Sequence, residues 1–129
     1  MEQNKTQAFP VEDALEMILM FDGMGKISYA NSMARMKLGY GRDLCQKNIC
    51  DIFPNEFKMS EEGLETEYPF GYAQQNIIAY RKNLTCFPVE ARIMSSEVVL
   101  DMYICMANDI LEKQYLSKEI EKVRQEAQE

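Results

Sequence analysis

Two neighbouring stretches of the chain alternate between apolar and polar residues, and this alternation limits the possible folds more than any other feature. In Thr85–Met94 the odd-numbered positions from Phe87 onward are apolar, while Glu90 and Arg92 fall between them. A period of two residues is that of a β-strand with one face in the core. Val98–Met106 alternates as well, and we assign its core face to Val98, Leu100, Met102, Ile104 and Met106.

The N-terminal part of the chain predicts a β-hairpin. Met17–Phe21 is an apolar run of strand length, and Lys26–Ala30 alternates. Residues 22–25 between them include two glycines, which permit the positive φ of a tight turn. Before the hairpin we expect a short helix at Val11–Glu16, directly after a proline, and a frayed segment over residues 1–10.

Short helices are predicted after the hairpin. Asn31 is a favourable N-cap for a helix over residues 32–38, and Gly39 is placed to end it. Residues 55–74 contain glycine and proline among acidic residues, and there we expect one helix and a loop. Arg42–Phe53 predicts short helical turns that contact the core through Leu44, Cys45, Ile49, Ile52 and Phe53.

The C-terminal part predicts one more strand, at Asn76–Arg81, and a charged helix at Leu111–Glu129. Asp109, followed three residues later by Glu112, resembles a capping box that starts this helix. The apolar residues of the helix are four, three and four positions apart, which favours a two-stranded coiled coil with a seam of Leu116, Ile120, Val123 and Ala127. The alternative is an amphipathic helix that folds back on its own sheet, against Val99, Tyr103 and Cys105.

Two strands, several short helices, three strands and a long helix make an α+β domain with one antiparallel sheet. Four segments within this order carry a more specific resemblance: Phe21–Asn31, Leu38–Leu44, Asn48–Pro54 and Arg81–Glu90. They resemble, in turn, the first hairpin and capped helix, the LGYS-x-x-E-L segment, the I-x-D-L-x-P turn and the R-K-D-G-T-x-F-P-V-E hairpin of PAS domains. PAS domains are sensory modules of bacterial signalling proteins.

Two positions depart from the family pattern. Asn83 and Leu84 stand where the family usually has Asp-Gly, and leucine does not readily adopt a positive φ. Leu111 replaces the threonine of the D-I-T sequence with which many members end.

The resemblance implies a five-stranded antiparallel sheet of order 2-1-5-4-3, with helices on one face around a small cavity. The PAS domain would span residues 11–110, followed by a linker helix over 111–129 that passes the state of the domain to an effector, usually a histidine kinase or a diguanylate cyclase. The candidate ligand-binding residues of the cavity are Tyr29, Asn31, Met33, Met36, Tyr40, Cys45, Ile49, Phe53, Tyr80, Phe87, Met102 and Ile104.

Composition excludes several partners and cofactors. The net charge of −7 and the pI of about 4.7 disfavour binding to nucleic acid or anionic lipid. No apolar run approaches the ~20 residues of a membrane helix, so no membrane insertion is expected. The absence of histidine excludes histidine-ligated haem and the Ser–His and Cys–His catalytic pairs. Cys45, Cys50, Cys86 and Cys105 form no C-x-x-C pair, so no metal site is assigned.

The cofactor is otherwise left open. Adduct-forming flavin chemistry is not expected, because Ile49 stands where the light-oxygen-voltage subgroup has its reactive cysteine. Cys50 comes one place later, which on a helix turns the side chain by about 100°. The ten methionines favour either a pliable ligand pocket or an irregular core.

We therefore expect a cytoplasmic sensory domain that binds a small ligand, forms a homodimer and controls an effector domain in the same chain. The alternative is a module with a filled core that acts only in dimerisation and signal relay. A small α+β enzyme is the least favoured hypothesis and no catalytic residue is assigned, because Asp51 suits a helix cap and Glu90 lies on the outer face of a strand.

Overall fold

One antiparallel sheet is built around the two alternating stretches. The computed structural model describes residues 11–128, with the strands β1 Met17–Asp22, β2 Ile27–Ala30, β3 Phe57–Ser60, β4 Gly63–Thr66, β5 Gln75–Tyr80, β6 Cys86–Ser95 and β7 Met102–Asp109. Five of them form the main sheet in the order β2-β1-β7-β6-β5, and β3 pairs with β4. The numbers differ from 2-1-5-4-3 only because this separate hairpin adds two strands before the third strand of the sheet. The predicted α+β class is confirmed.

Helices connect the strands and close one face of the sheet. They are α1 Ser32–Leu38, a 3₁₀ helix Gly41–Gln46, α2 Ile49–Ile52 and α3 Ile110–Gln128. The caps predicted for α1 are confirmed: the Asn31 side chain accepts a hydrogen bond from the Ala34 amide, and Gly39 ends the helix with a φ of 77°. In the turns after α1, Leu44, Ile49, Ile52 and Phe53 are buried as predicted, while Cys45 is only partly buried.

Two predicted segments have a different structure. Residues 55–74 form the β3–β4 hairpin and a loop, not a helix and a loop. This hairpin is held by contacts distant in sequence: Phe57 is buried, and the Leu64 amide donates to the Gly23 carbonyl at 3.2 Å. The helix predicted at Val11–Glu16 is helical only at residues 11–12, because the carbonyls of its two end residues accept hydrogen bonds from the Asn31 side chain. The predicted frayed segment, residues 1–10, lies outside the described residues.

The assignment of the core face of β7 was wrong by one residue. Met102, Ile104 and Met106 lie on the outer face of the sheet and are partly exposed, whereas Cys105 and Ala107 are buried. Cys105 lies opposite core residues on both neighbouring strands, and residues directly opposite each other share a face. Val98 and Leu100 lie in the exposed loop before β7. The apolar alternation that begins at Val98 therefore does not show which face of the strand is buried.

Leu84 adopts a left-handed backbone conformation that usually favours glycine. Its φ is 71°, and its amide closes a turn by donating to the Arg81 carbonyl at 2.9 Å. The side chain is 80% exposed, so it adds little packing. We expect Leu84→Gly to raise the free energy of unfolding by about 1 kcal/mol, since the strain relieved exceeds the entropy that glycine adds to the unfolded chain.

Urea unfolding of the wild type and the variant measures this difference. Asp101→Gly is the matched control, because Asp101 also has a positive φ (58°) but aspartate tolerates this region better. A Leu84→Gly variant no more stable than the wild type would show that this backbone conformation carries no strain.

Candidate functional site

Six aromatic side chains fill the space between the sheet and the β3–β4 hairpin. We call them the aromatic cluster: Phe21, Phe53, Phe57, Tyr68, Phe70 and Tyr103. Ring centroids lie 5.7 Å apart for Phe21–Phe57 and 5.1 Å apart for Phe70–Tyr103. The Tyr68 hydroxyl donates to the Ala91 carbonyl at 3.1 Å, and burial raises the pKa of Tyr68 to about 12. The six rings thus pack on one another between the sheet and the hairpin.

The twelve candidate ligand-binding residues do not come together around one pocket. Four are buried in the core: Asn31, Ile49, Phe53 and Phe87. Five are partly buried: Tyr29, Met33, Tyr40, Cys45 and Tyr80. Met36 is exposed, and Met102 and Ile104 lie on the outer face of the sheet, opposite to the predicted side.

The polar groups of the Asn31 side chain all form hydrogen bonds within the domain. Its side chain is fully buried and makes four hydrogen bonds. The carbonyl oxygen accepts from the amides of Ile18 and Ala34, each at 3.0 Å. The amide nitrogen donates to the carbonyls of Val11 and Glu16, each at 2.9 Å. This residue therefore joins the N-terminal segment, β1 and α1, and has no group left for a ligand.

A second polar cluster ties the N-terminal segment to β2 and α1. The Tyr29 hydroxyl donates to Glu12 at 2.7 Å, and Arg35 pairs with the same carboxylate at 2.6 Å. The hydrogen bond from Arg35 lowers the pKa of Glu12, and burial, together with the bond to Glu12, raises the pKa of Tyr29 to about 12. Tyr29 is thus held as a neutral donor, and its role here is structural.

The start of α3 is fixed to the body of the domain by ion pairs. The Asp109 side chain accepts a hydrogen bond from the Glu112 amide at 3.2 Å, as the capping motif predicts. The Glu112 carboxylate, however, pairs with Lys37 of α1, which also lies 3.9 Å from Asp109. Lys113 pairs with Glu90 of β6 at 2.8 Å. Sequence reasoning missed both lysines, since their partners are distant in the chain.

Beyond its first turn, α3 leaves the domain. Its residues from Leu111 to Ala127 are exposed, and the seam residues Leu116, Ile120 and Val123 are 50%, 59% and 62% exposed. The fold-back alternative is wrong for this structure, because Tyr103 and Cys105 face the core and Val99 lies in a loop.

Neither acid considered for catalysis is free of a partner. Asp51 closes a capping box with Asn48 at the start of α2, and Glu90 is paired with Lys113. Within residues 11–128, no cluster of three or more cysteine or acidic residues is arranged to hold a metal ion. In the same part of the chain, no helix is both long and apolar enough to cross a membrane.

The four thiols differ in exposure, which predicts an order of alkylation. Cys86 is exposed, Cys45 and Cys50 are partly buried, and Cys105 is fully buried. Burial raises the pKa of Cys50, and that of Cys105 to about 12, so little reactive thiolate forms there at neutral pH. We expect iodoacetamide to label Cys86 first and to leave Cys105 unmodified until the protein unfolds. Peptide mass spectrometry over a time course measures this order, and early labelling of Cys105 would contradict the structure.

The sheet order, the short helices on one face and the helix that leaves the last strand define a PAS fold. No family model matches the sequence, and no curated protein matches it. Solved structures match the fold over most of the chain. The PAS domain of an HTR-like protein from Haloarcula marismortui gives a TM-score of 0.66 at 15% identity, covering 84% of this chain and 99% of that chain.

Two further structures support the same fold. One is a domain of the sensory box sensor histidine kinase/response regulator from Geobacter sulfurreducens, with a TM-score of 0.59 at 14% identity, covering 84% of this chain and 94% of that chain. The other is the PAS domain of a protein from Desulfitobacterium hafniense, with a TM-score of 0.58 at 24% identity, covering 76% of this chain and 95% of that chain. These comparisons show that the chain has the PAS fold.

Proposed function

We propose that this chain is the regulatory PAS module of a cytoplasmic signal-transduction protein, that it forms a homodimer, and that α3 passes its state to an effector domain in the same chain. The observation that carries the proposal is the path of α3. It begins at Ile110, directly after the last residue of β7, and carries its apolar seam away from the domain uncovered. The histidine kinase among the similar structures supports an effector of that class.

A second copy of the chain is the partner that best suits the seam. Isolated helices of this length are marginal in water, so α3 gains stability by burying its apolar stripe against another helix. The four-three-four spacing of the seam matches a coiled coil of two such helices. Charged residues flank it, including the Glu121–Arg124 pair at 3.3 Å, and keep the remaining surface of the helix hydrated.

The packing of the core favours the version of this function in which the interior holds no ligand. The aromatic cluster occupies the space between the sheet and the β3–β4 hairpin, and Asn31 has all four of its hydrogen bonds within the fold. The pairing of Asp51 and Glu90 with other groups supports a segment that is not catalytic. We propose dimerisation and relay as the main roles, and interior ligand binding as the alternative.

Sedimentation equilibrium of residues 1–129 tests the dimer, and native mass spectrometry of the same sample tests the interior. We expect a concentration-dependent dimer whose monomer has the mass of the chain alone. A protein that stays monomeric at high concentration contradicts the helix seam. A stoichiometric co-purifying small molecule contradicts the version of the function that involves no ligand.

A further inference from the structure

A groove at the base of α3 lies outside the aromatic cluster. It has a volume of about 230 Å³ and opens between the N-terminal segment, α1, the end of β7 and α3. Its apolar floor is formed by the buried residues Met17 and Ala107, and Met33 lies beside them. Leu15, which is 86% exposed, and the half-exposed Leu116 form its walls. The groove therefore presents apolar surface from four elements to solvent.

Ion pairs hold the groove open. On one side Lys37 of α1 pairs with Glu112, and on the other Lys113 pairs with Glu90 of β6. Lys37, Glu112 and Lys113 also line the groove, so these pairs form part of its rim. Because both pairs involve the first turn of α3, tilting the helix to close the groove would break at least one of them. In a single copy of the chain, Leu15 and Leu116 are thus kept apart and exposed to water, which costs free energy unless an apolar group covers them.

The charges on the rim indicate what the groove accepts. Both lysines of the rim already have carboxylate partners, and the carboxylates of Asp109 and Glu112 balance their charge. Among residues 11–128, an anionic ligand would find no unpaired lysine on this rim. The volume suits a molecule of one or two rings, since a smaller apolar cavity of about 150 Å³ already admits benzene.

We propose that this groove binds a neutral, mainly apolar molecule of one or two rings. Such a molecule would contact the N-terminal segment through Leu15, α1 through Met33 and α3 through Leu116. Binding would fix the base of α3 relative to the body of the domain. The groove lies within a single copy of the chain, and it shares one residue, Leu116, with the helix seam.

Indole is a suitable probe, and benzoate is an anionic control of similar size. We expect indole to shift the backbone amide resonances of Leu15, Met33 and Leu116 in ¹⁵N-labelled protein, saturably and with a dissociation constant in about the millimolar range for so few atoms. Benzoate should bind at least about tenfold more weakly, because both lysines among the described residues of the rim are already paired.

Leu15→Ser removes one apolar wall of the groove. Because the Leu15 side chain is highly exposed, the variant should fold as the wild type does, and an unchanged thermal melt would verify this. We expect it to weaken indole binding by about fivefold. Leu100→Ser is the matched control: it makes the same change at a leucine that is 95% exposed and far from the groove in the β6–β7 loop, and it should bind as the wild type does. The proposal would be overturned if no saturable shifts appear up to about 10 mM indole, or if the shifts are confined to the aromatic cluster. It would also be overturned if benzoate binds as tightly as indole, or if Leu15→Ser binds indole as the wild type does.

Discussion

If the chain dimerises through the helix seam as proposed, we expect Ile120→Asp to weaken its self-association by about a hundredfold or more. Ile120 is the second residue of the helix seam, and its side chain is 59% exposed in the single chain, so little packing would be lost with it there. In a two-stranded coil the change places two carboxylates next to each other without partners, and a buried unpaired charge costs about 3–5 kcal/mol. The sheet and the aromatic cluster are far from this position and should remain folded.

Sedimentation equilibrium of the two proteins at matched concentrations, with circular dichroism to verify the fold, measures the effect. Gln125→Asp is the matched control. It adds the same charge to the same helix, but at a position between Val123 and Ala127 that faces away from the seam in the predicted heptads. If Ile120→Asp dimerises as tightly as the wild type, or Gln125→Asp loses the dimer equally, the seam is not the interface.

Asn31→Ala is expected to lower the free energy of unfolding by about 3–5 kcal/mol. The substitution removes a fully buried side chain and four hydrogen bonds at once. It leaves the amide of Ile18 and the carbonyl of Glu16 without these partners, and a buried polar group without a partner costs about 1–3 kcal/mol. The loss of the α1 N-cap adds about 1 kcal/mol. Because a domain of this size is stable by only about 5–15 kcal/mol, the melting temperature should fall by roughly 10–20 °C.

Urea unfolding and a thermal melt of both proteins measure the loss. Asn83→Ala is the control: the Asn83 side chain also accepts a hydrogen bond from a backbone amide, that of Thr85 at 3.1 Å, but in an exposed turn. We expect this change to cost less than about 1 kcal/mol. Similar losses in the two variants would mean that the hydrogen bonds around Asn31 contribute no more than those of a surface turn.

Local rules predicted the parts of the fold in which neighbouring residues decide the structure. The caps of α1 lie within one helix, and both are where the sequence places them. β1, β2, β5 and β6 are also recognisable from short runs, and the four motif segments appear in the order of a PAS domain. The seam of α3 is likewise a local pattern, although whether a second helix covers it stays a prediction.

The candidate site was less predictable, because its residues are positioned by partners distant in the chain. The apolar alternation that begins at Val98 assigns Met102 and Ile104 to the core. Only the pairing of β7 with β1 and β6 places Cys105 inward instead. The β3–β4 hairpin has too few apolar residues for its sequence to predict two strands. A contact distant in sequence, with Gly23, helps to hold it.

The sequence alone thus determined the fold class, the strand alternation of β6 and the caps and apolar seam of the helices, because each depends on residues within a few positions of one another. Only the tertiary structure decided which face of β7 is buried, how the aromatic cluster fills the interior and how Lys37 joins α1 to the base of α3. These features depend on strand register and on pairs of side chains up to tens of residues apart, and neither leaves a periodic trace in the sequence.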